Sequence, residues 1–500
     1  MQLEDTAPLN SEAPMKANSE DQSVSLEAHG SFTMKGRPKT NVVDWDGPDD
    51  PENPYNWPKV KKMAHVLIVS AFSLNANLAA TMFAPGANQL AAEFNVTDPT
   101  IAAFTVSIYV LGFALGPIFL APLSELYGRL VIYHACNLVY TSFTIGCAFS
   151  TNVTMFLVFR IICGIAGSGP MSIGGGTVAD ITPQEERGKA IALFGVGPLL
   201  GPVVGPIIGG FVSQNVGWRW TFRIILILSG VLFIMTMFMR ETNAVVLLQR
   251  KTRRLIRETG NDKLVPKGAT HDTPSQILRK AIVRPARILL LSPIVLLLSL
   301  YNGIVFGLIF LLFTTFPSVF EGTYDFEPGP AGLAYLGLGI GLFCGLVLFA
   351  TLSDKLLGQK RDGPVARPEE RLILMKWFAP IMPLGCFVYG WTTEKHVHWI
   401  VPIIGTFFIG LGSLFLVIPA QTYLVDAFGP EAAASALAAN LVVRSPFGAF
   451  LVLAAPTLYG RLGLGWGNSV LGFITLAFTP VPWLFYHYGD RLRKRFPVAL

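Results

Sequence analysis

Twelve apolar runs, near 62–84, 102–122, 131–150, 154–178, 189–213, 219–239, 287–316, 330–352, 372–391, 397–420, 431–459 and 465–488, dominate the sequence. Each is long enough to cross a hydrocarbon core of about 30 Å. Hydrocarbon offers the backbone no hydrogen-bond partner, so a run of this length must satisfy its own N–H and C=O groups as a helix. Only 14% of the residues are charged and the mean hydropathy is +0.51, whereas soluble chains carry about 25% charged residues. The expected fold class is therefore an all-α polytopic membrane protein, with twelve transmembrane helices in two six-helix halves.

The division into halves comes from the longest internal hydrophilic segment, about 240–286, which separates six runs from six. The expected organisation is a disordered tail over 1–58, a first half over 59–240, a central loop over 241–286, a second half over 287–490 and a short tail over 491–500. Lys and Arg concentrate on one side of the alternating loops, which places both termini in the cytoplasm. Residues 1–52 hold eleven acidic against four basic residues, so the net charge of +6 reflects a basic membrane face rather than nucleic acid. Residues 244–257 alternate apolar and basic patches at helical spacing, as a surface or linker helix would. The five cysteines all fall in apolar runs without a Cys-x-x-Cys pair and read as inert packing residues. Of the two sequons, Asn95 is the better acceptor for glycosylation, because Asn152 adjoins a helix end.

The fifth run contains Gly197-Pro198, Gly201-Pro202, Gly205-Pro206 and Gly209-Gly210. In water this would be a poor helix. In a bilayer, glycine at every fourth residue makes a flat stripe against which another helix can lie closely. We expect that helix to come from the other half, and the helix to bend at its prolines.

Charges within or beside the runs are few enough to weigh singly. Glu125 and Arg129 lie four apart with Gly128 between the second and third runs, a spacing that allows an ionic clasp. Asp180 closes the fourth run and extends that group. The sequence Leu352-Ser353-Asp354 echoes Leu123-Ser124-Glu125 at the corresponding place in the second half, a weak internal repeat. Arg160 lies inside the fourth run and Arg444 inside the eleventh. An embedded arginine costs at least about 2.5 kcal/mol and faces a partner or a cavity. No Asp or Glu lies near a midplane, so a central pocket would hold a neutral or anionic amphiphile better than a polycation. Polar and aromatic residues available to line it are Asn75, Asn77, Tyr301, Asn302, Phe306, Tyr335, Gln421 and Tyr423.

Other classes find no support. The seven histidines are scattered apart from His396-Val-His398, which excludes a clustered metal centre, and no phosphate-cradling Gly-x-x-x-x-Gly-Lys-[Ser/Thr] is present. No cofactor, metal or enzymatic activity is expected. From Asn53 onward the chain resembles the fungal twelve-span drug:proton antiporters of the major facilitator superfamily, the group that includes polyamine and azole transporters. The resemblance rests on Asn53-Pro-Tyr-Asn-Trp57, the 121–129 loop, the 160–169 helix, Gly176-Thr-Val-Ala-Asp180, Gly188-Lys-Ala, the 197–210 glycine-proline run, Gly217-Trp-Arg-Trp220, Glu241-Thr, Glu369-Glu-Arg-Leu and Tyr486-His-Tyr-Gly.

The resemblance implies alternating access and export of a small amphiphile (a drug, toxin or secondary metabolite) by proton antiport. The setting it implies is the plasma membrane, with lipid, protons and substrate as partners of a monomer. It assigns Glu125 and Arg129 to a cytoplasmic gate and Arg160 to proton coupling; because no acid lies near a midplane, that coupling would have to run through Arg160 with Asp180 or Glu125, or through a water path. Ala121 stands where the group has glycine, and Leu130 replaces a second basic residue of the loop. A polyamine or nutrient uniporter, or a transporter-like sensor, is the alternative.

Overall fold

The computed structural model describes residues 41–183, 186–268, 273–358 and 367–496. The first half consists of α1 (Lys59–Thr81), α2 (Pro99–Tyr127), α3 (Arg129–Ala148), α4 (Val153–Ile181), α5 (Arg187–Val216) and α6 (Arg219–Met237). Two helices follow outside the bundle, α7 (Ala244–Thr259) and α8 (Pro274–Leu291). The second half comprises α9 (Pro293–Tyr324), α10 (Tyr335–Gly358), α11 (Ile381–Glu394), α12 (Ile400–Phe450), α13 (Ala455–Phe478) and α14 (Pro480–Arg495). Helix α12 has 51 residues, about 75 Å at 1.5 Å each, which is too long for one crossing. Gly429, at φ 68, breaks it into two limbs. The apolar segment 432–495 is likewise turned back at Gly463, at φ 71. The eleven long apolar segments of the described residues therefore make twelve crossings.

Polar side chains mark where the chain enters each helix. Asp98 accepts from Thr100 N at 2.8 Å to start α2, and Asn152 accepts from Met155 N at 2.9 Å to start α4. Asn152 is thereby used as a cap. Thr273 and Gln276 close a reciprocal capping box on α8. Because crossings alternate, the start of α1, the start of α9 and the end of α14 share one face of the bundle, the face of α7 and α8. We refer to this as the linker face and to the opposite one as the far face.

The glycine stripe of α5 packs differently from the expectation. A Cβ on Gly201 would sit 2.5 Å from Asn77 Cβ, and one on Gly205 would sit 2.5 Å from Thr81 Oγ1. Gly197 and Gly209 press on the backbone of Ser70 and Met82. The stripe thus faces α1 of its own half, not the other half. Proline 198 cannot donate to the carbonyl of Phe194, and Ser70 Oγ of α1 donates to that oxygen at 3.3 Å. The other half is met by the neighbouring face of α5. Gly210 abuts Pro328 and Gly329, while Pro206 and Ile207 abut Gly332. Far-face hydrogen bonds add to this seam: Gly329 N donates to Gln214 Oε1 at 2.9 Å, Gln214 Nε2 to Glu327, and Asn88 Nδ2 to Glu321 at 3.3 Å.

On the linker face, residues expected to be a disordered tail are folded from Val42 onward; residues 1–40 lie outside the described part. Val42–Val43 pairs in parallel with Val265–Pro266, and the following acidic loop wraps α7. Lys251 is buried there. Its Nζ lies 2.8 Å from Asp46 Oδ1 and 3.3 Å from the buried Asp50 Oδ2, and it donates to Asp44 O at 3.2 Å. Arg254 pairs with Glu52 and Lys267 with Asp44. Asp46, Asp50 and Glu52, three of the acids in this segment, therefore serve as counter-charges to a basic linker helix. Burial opposes ionisation of Asp50, but N–H groups of Asp46 and Glu52 and the Lys251 ammonium outweigh it and hold its carboxyl below the usual range. A lowered folded-state value means that the clasp has full strength above the ordinary carboxylate value of about 4 and weakens as pH falls through the folded one. Hydrogen exchange should show 42–57 protected at neutral pH and opening below pH ~4. Lys251→Ala should open the segment at neutral pH, and protection unchanged in that variant would refute the assignment.

Candidate functional site

The linker-face ends of α2, α3, α4 and α6 are locked by one polar network. Gly128, at φ 102, makes the turn between α2 and α3, and its missing side chain leaves room for the Glu241 carboxylate. That carboxylate accepts from Arg129 N at 2.9 Å, Leu130 N at 3.2 Å, Thr242 N at 3.0 Å and Asn243 N at 2.9 Å. It thus sits on the N-terminus of α3, where orphan N–H groups and the helix dipole favour an anion. The Arg129 side chain pairs with Asp180 (Nε to Oδ2, 3.2 Å) and donates to Ser124 Oγ at 2.6 Å. Gly176 on α4 leaves space for the guanidinium.

The expected Glu125–Arg129 clasp is therefore replaced by Arg129–Asp180. Along α2, Glu125 points to an open cleft instead. Glu241, absent from the candidate residues, is the carboxylate at the centre of the network. Its place in the Glu241-Thr motif was the sequence clue.

Arg160 is buried, at 1% exposure, near the far-face end of α4. The last carbonyls of α1 lack helical partners, and Arg160 donates to one of them, Ala79 O, at 2.9 Å and to Val106 O of α2 at 3.4 Å. Its guanidinium carbon lies 4.7 Å from the Tyr109 ring, 5.6 Å from Phe222 and 5.7 Å from Phe83. Asp180, twenty residues on in α4, is about 30 Å away along the helix. Glu125, near the linker-face end of α2, is likewise remote, so a direct pairing of Arg160 with either acid does not occur in this structure. Arg160→Ala leaves the Ala79 carbonyl without a donor in an aromatic box. We expect transport to fall more than tenfold, with Arg160→Lys recovering little because one ammonium cannot span both carbonyls. Uptake or efflux of a known cargo, normalised to folded protein, measures this.

The proposed lining residues separate into two sets. Asn75 donates to Ser229 Oγ at 2.9 Å and ties α1 to α6, while Asn77 donates to Ser73 O at 2.8 Å under the glycine stripe. Tyr335 donates to Phe313 O at 2.5 Å. Tyr301 packs on Phe478, with centroids 5.5 Å apart, and Tyr423 is fully buried; Gln421 is half-buried. Asn75, Asn77, Tyr301, Tyr335 and Tyr423 serve packing within a half. Phe306 belongs instead to the seam between the halves, where α2 and α9 meet the second limb of α12, and Asn302 is buried one turn before it on α9.

Two clefts open along that seam. One, of about 530 Å³ towards the linker face, is lined by Ala121, Glu125, Arg284, Leu289, Ala438 and Val442, among others. The second, of about 510 Å³ towards the far face, is lined by Ala103, Val106, Thr315, Val319, Val452 and Tyr459, among others. Between them lies a waist. Gly448 fits against Phe306 and Val110, where a Cβ would come within 2.8 Å and 3.1 Å, and Phe104 stacks on Phe450 at 6.5 Å. Both volumes are in the range of small-molecule sites.

The sequence profile described as Major Facilitator Superfamily matches residues 67–453. The chain belongs to this superfamily: it is a multi-pass membrane transporter and not an enzyme. It is 70% identical to MFS transporter fsa7 of Fusarium sp. (strain FN080326), over 97% of this chain and 95% of that one. It is 68% identical to MFS-type transporter MFS19 of Alternaria alternata, over 97% and 99%. A trichosetin biosynthesis cluster MFS transporter of Gibberella fujikuroi is 64% identical, over 98% and 97%. Among solved structures, a D-xylose-proton symporter superposes with a TM-score of 0.67 at 16% identity, over 85% of this chain and 98% of that one, a likeness of fold.

Proposed function

We propose that this protein exports a small amphiphilic secondary metabolite by alternating access, in exchange for protons, across the plasma membrane with its linker face in the cytoplasm. The observation that carries the reading is the pair of clefts that approach one waist from opposite faces of the bundle. A solute held at the waist could exchange with either face through small relative movements of the halves. The name of the trichosetin-cluster relative supports a secondary metabolite as cargo. The surplus of Lys and Arg on the linker face supports the orientation, and the Arg129–Asp180 pair is the group we assign to gating on that side. Asn95 is exposed in the far-face loop before α2 and would then be open to glycosylation.

Proteoliposomes test the coupling. An imposed proton gradient, acidic on the far-face side, should accelerate movement of a cluster metabolite towards that side several-fold, and a protonophore should remove the acceleration. Carriage that ignores the gradient would make the protein a uniporter.

A further inference from the structure

Arg444 is the second membrane-embedded arginine, and its surroundings are unlike those of Arg160. It lies about 18 Å into the second limb of α12, counted from Ala432, just past the break at Gly429. Its only partner among the described residues is the face of Phe306, with the guanidinium carbon 4.8 Å from the ring centroid. Nε is buried with no hydrogen-bond partner, yet part of the side chain remains accessible. No acid among the described residues neutralises it.

The facing helix supplies a second set of unmet groups. Ser299 of α9 receives a hydrogen bond from Asn440 Nδ2 at 3.4 Å, and Phe306 lies over Arg444. These two contacts fix the register of α9 against α12. Asn302, one turn beyond Ser299 and one before Phe306, is on the same face of α9. It is fully buried with neither its amide nitrogen nor its amide oxygen hydrogen-bonded. Ser445 Oγ, next to Arg444, is also unpartnered. Unmet buried polar groups cost about 1–3 kcal/mol each, so an unneutralised arginine on α12 faced by the α9 surface that carries the unmet Asn302, with Ser445 following it in the chain, points to a ligand that they serve.

We propose that Arg444, Asn302 and Ser445 form the head-group subsite of the carrier, and that its cargo is an amphiphile bearing a carboxylate or an equally compact planar oxyanion. The guanidinium supplies the charge and a fork that matches such a group. Asn302 and Ser445 donate further hydrogen bonds. Phe306 holds one face of the guanidinium and leaves its edge for the ligand, and the apolar wall of the linker-face cleft formed by Leu289, Ala438 and Val442 takes the tail. A cationic head would meet an uncompensated arginine and be rejected. The inference rests on the carrier reading for its biological meaning, but binding at equilibrium can be measured without transport.

The test uses radiolabelled decanoate, full-length protein in phosphatidylcholine nanodiscs and empty discs as blanks. Binding should saturate at one site, with decanol and decylamine competing at least tenfold less well than unlabelled decanoate. Arg444→Gln should weaken binding at least tenfold, Arg444→Lys less, and Asn302→Leu about fivefold, each with the wild-type melting temperature. If Arg444→Gln fails to fold, the Asn302→Leu result and the head-group preference of the wild type decide. Equal competition by decanol, or wild-type affinity in the folded Arg444→Gln or Asn302→Leu protein, would overturn the proposal. So would loss of decanoate binding in discs containing phosphatidylserine, since the site would then belong to an anionic lipid. Selective binding without proton-driven carriage would instead overturn the coupling and leave the subsite standing.

Discussion

Glu241→Ala should destabilise the protein by about 3–5 kcal/mol, because four backbone N–H groups lose one shared acceptor in a region closed to water. Glu241→Gln keeps one oxygen and should lose about half as much. Asp180 joins this network only through the Arg129 and Thr242 side chains, so Asp180→Asn should leave most of the stability intact while altering transport. Thermal unfolding followed by tryptophan fluorescence in nanodiscs, alongside transport per folded molecule, separates the two effects. A Glu241→Ala protein that melts with the wild type would show that the carboxylate is not what anchors the start of α3.

Gly205→Leu should abolish transport, with a loss above about a hundredfold. A leucine there would strike Thr81 Oγ1 and the backbone of Leu78 and Met82, and α1 cannot retreat without disturbing Phe83 and the box around Arg160. Gly205→Ala should be milder, since its methyl meets chiefly the Thr81 hydroxyl, 2.5 Å away, and a side-chain oxygen can turn aside more easily than a backbone. The control is Gly195 on the same helix, where a Cβ would meet nothing within 4 Å and Leu should be tolerated. Gly210→Ala reports on a different surface, because it pushes on Pro328 of the second half. It should affect the far-face seam while leaving the melting of the first half unchanged. If Gly205→Leu transported normally, the close approach of α1 and α5 would have to be abandoned.

Fold and helix count were legible because hydrophobic length is a local property that hydrocarbon enforces strictly. The glycine stripe was equally legible as a surface of close approach, but not its partner, because spacing along one helix carries no information about the helix it meets. Glu125 and Arg129 have the i,i+4 spacing of partners within one helix, but Gly128 interrupts the helix between them, so Arg129 is free to turn towards α4. Asp50 and its neighbours looked like a solvated acidic tail because their counter-charges lie some two hundred positions away, on α7. Arg160 and Arg444 looked alike in sequence. Only the structure shows one with two carbonyls and three rings, and the other with a single ring.

The clasp of residues 42–57 on α7 has a mechanical consequence. It fixes the first part of the linker, as far as Lys267, to the first half. The second half is connected onward through α8, which begins at Pro274. Seven peptide steps separate these points, and even fully drawn out they reach only about 25 Å. The covalent connection between the two six-helix bodies is therefore a short leash rather than a forty-residue loop. It permits tilting through small angles and forbids wide separation, so opening to either side must be shared between both bodies as a rocking movement about the seam. Lengthening the leash, by releasing Lys251 or by inserting residues after Lys267, would loosen that geometry without altering a single residue inside the membrane.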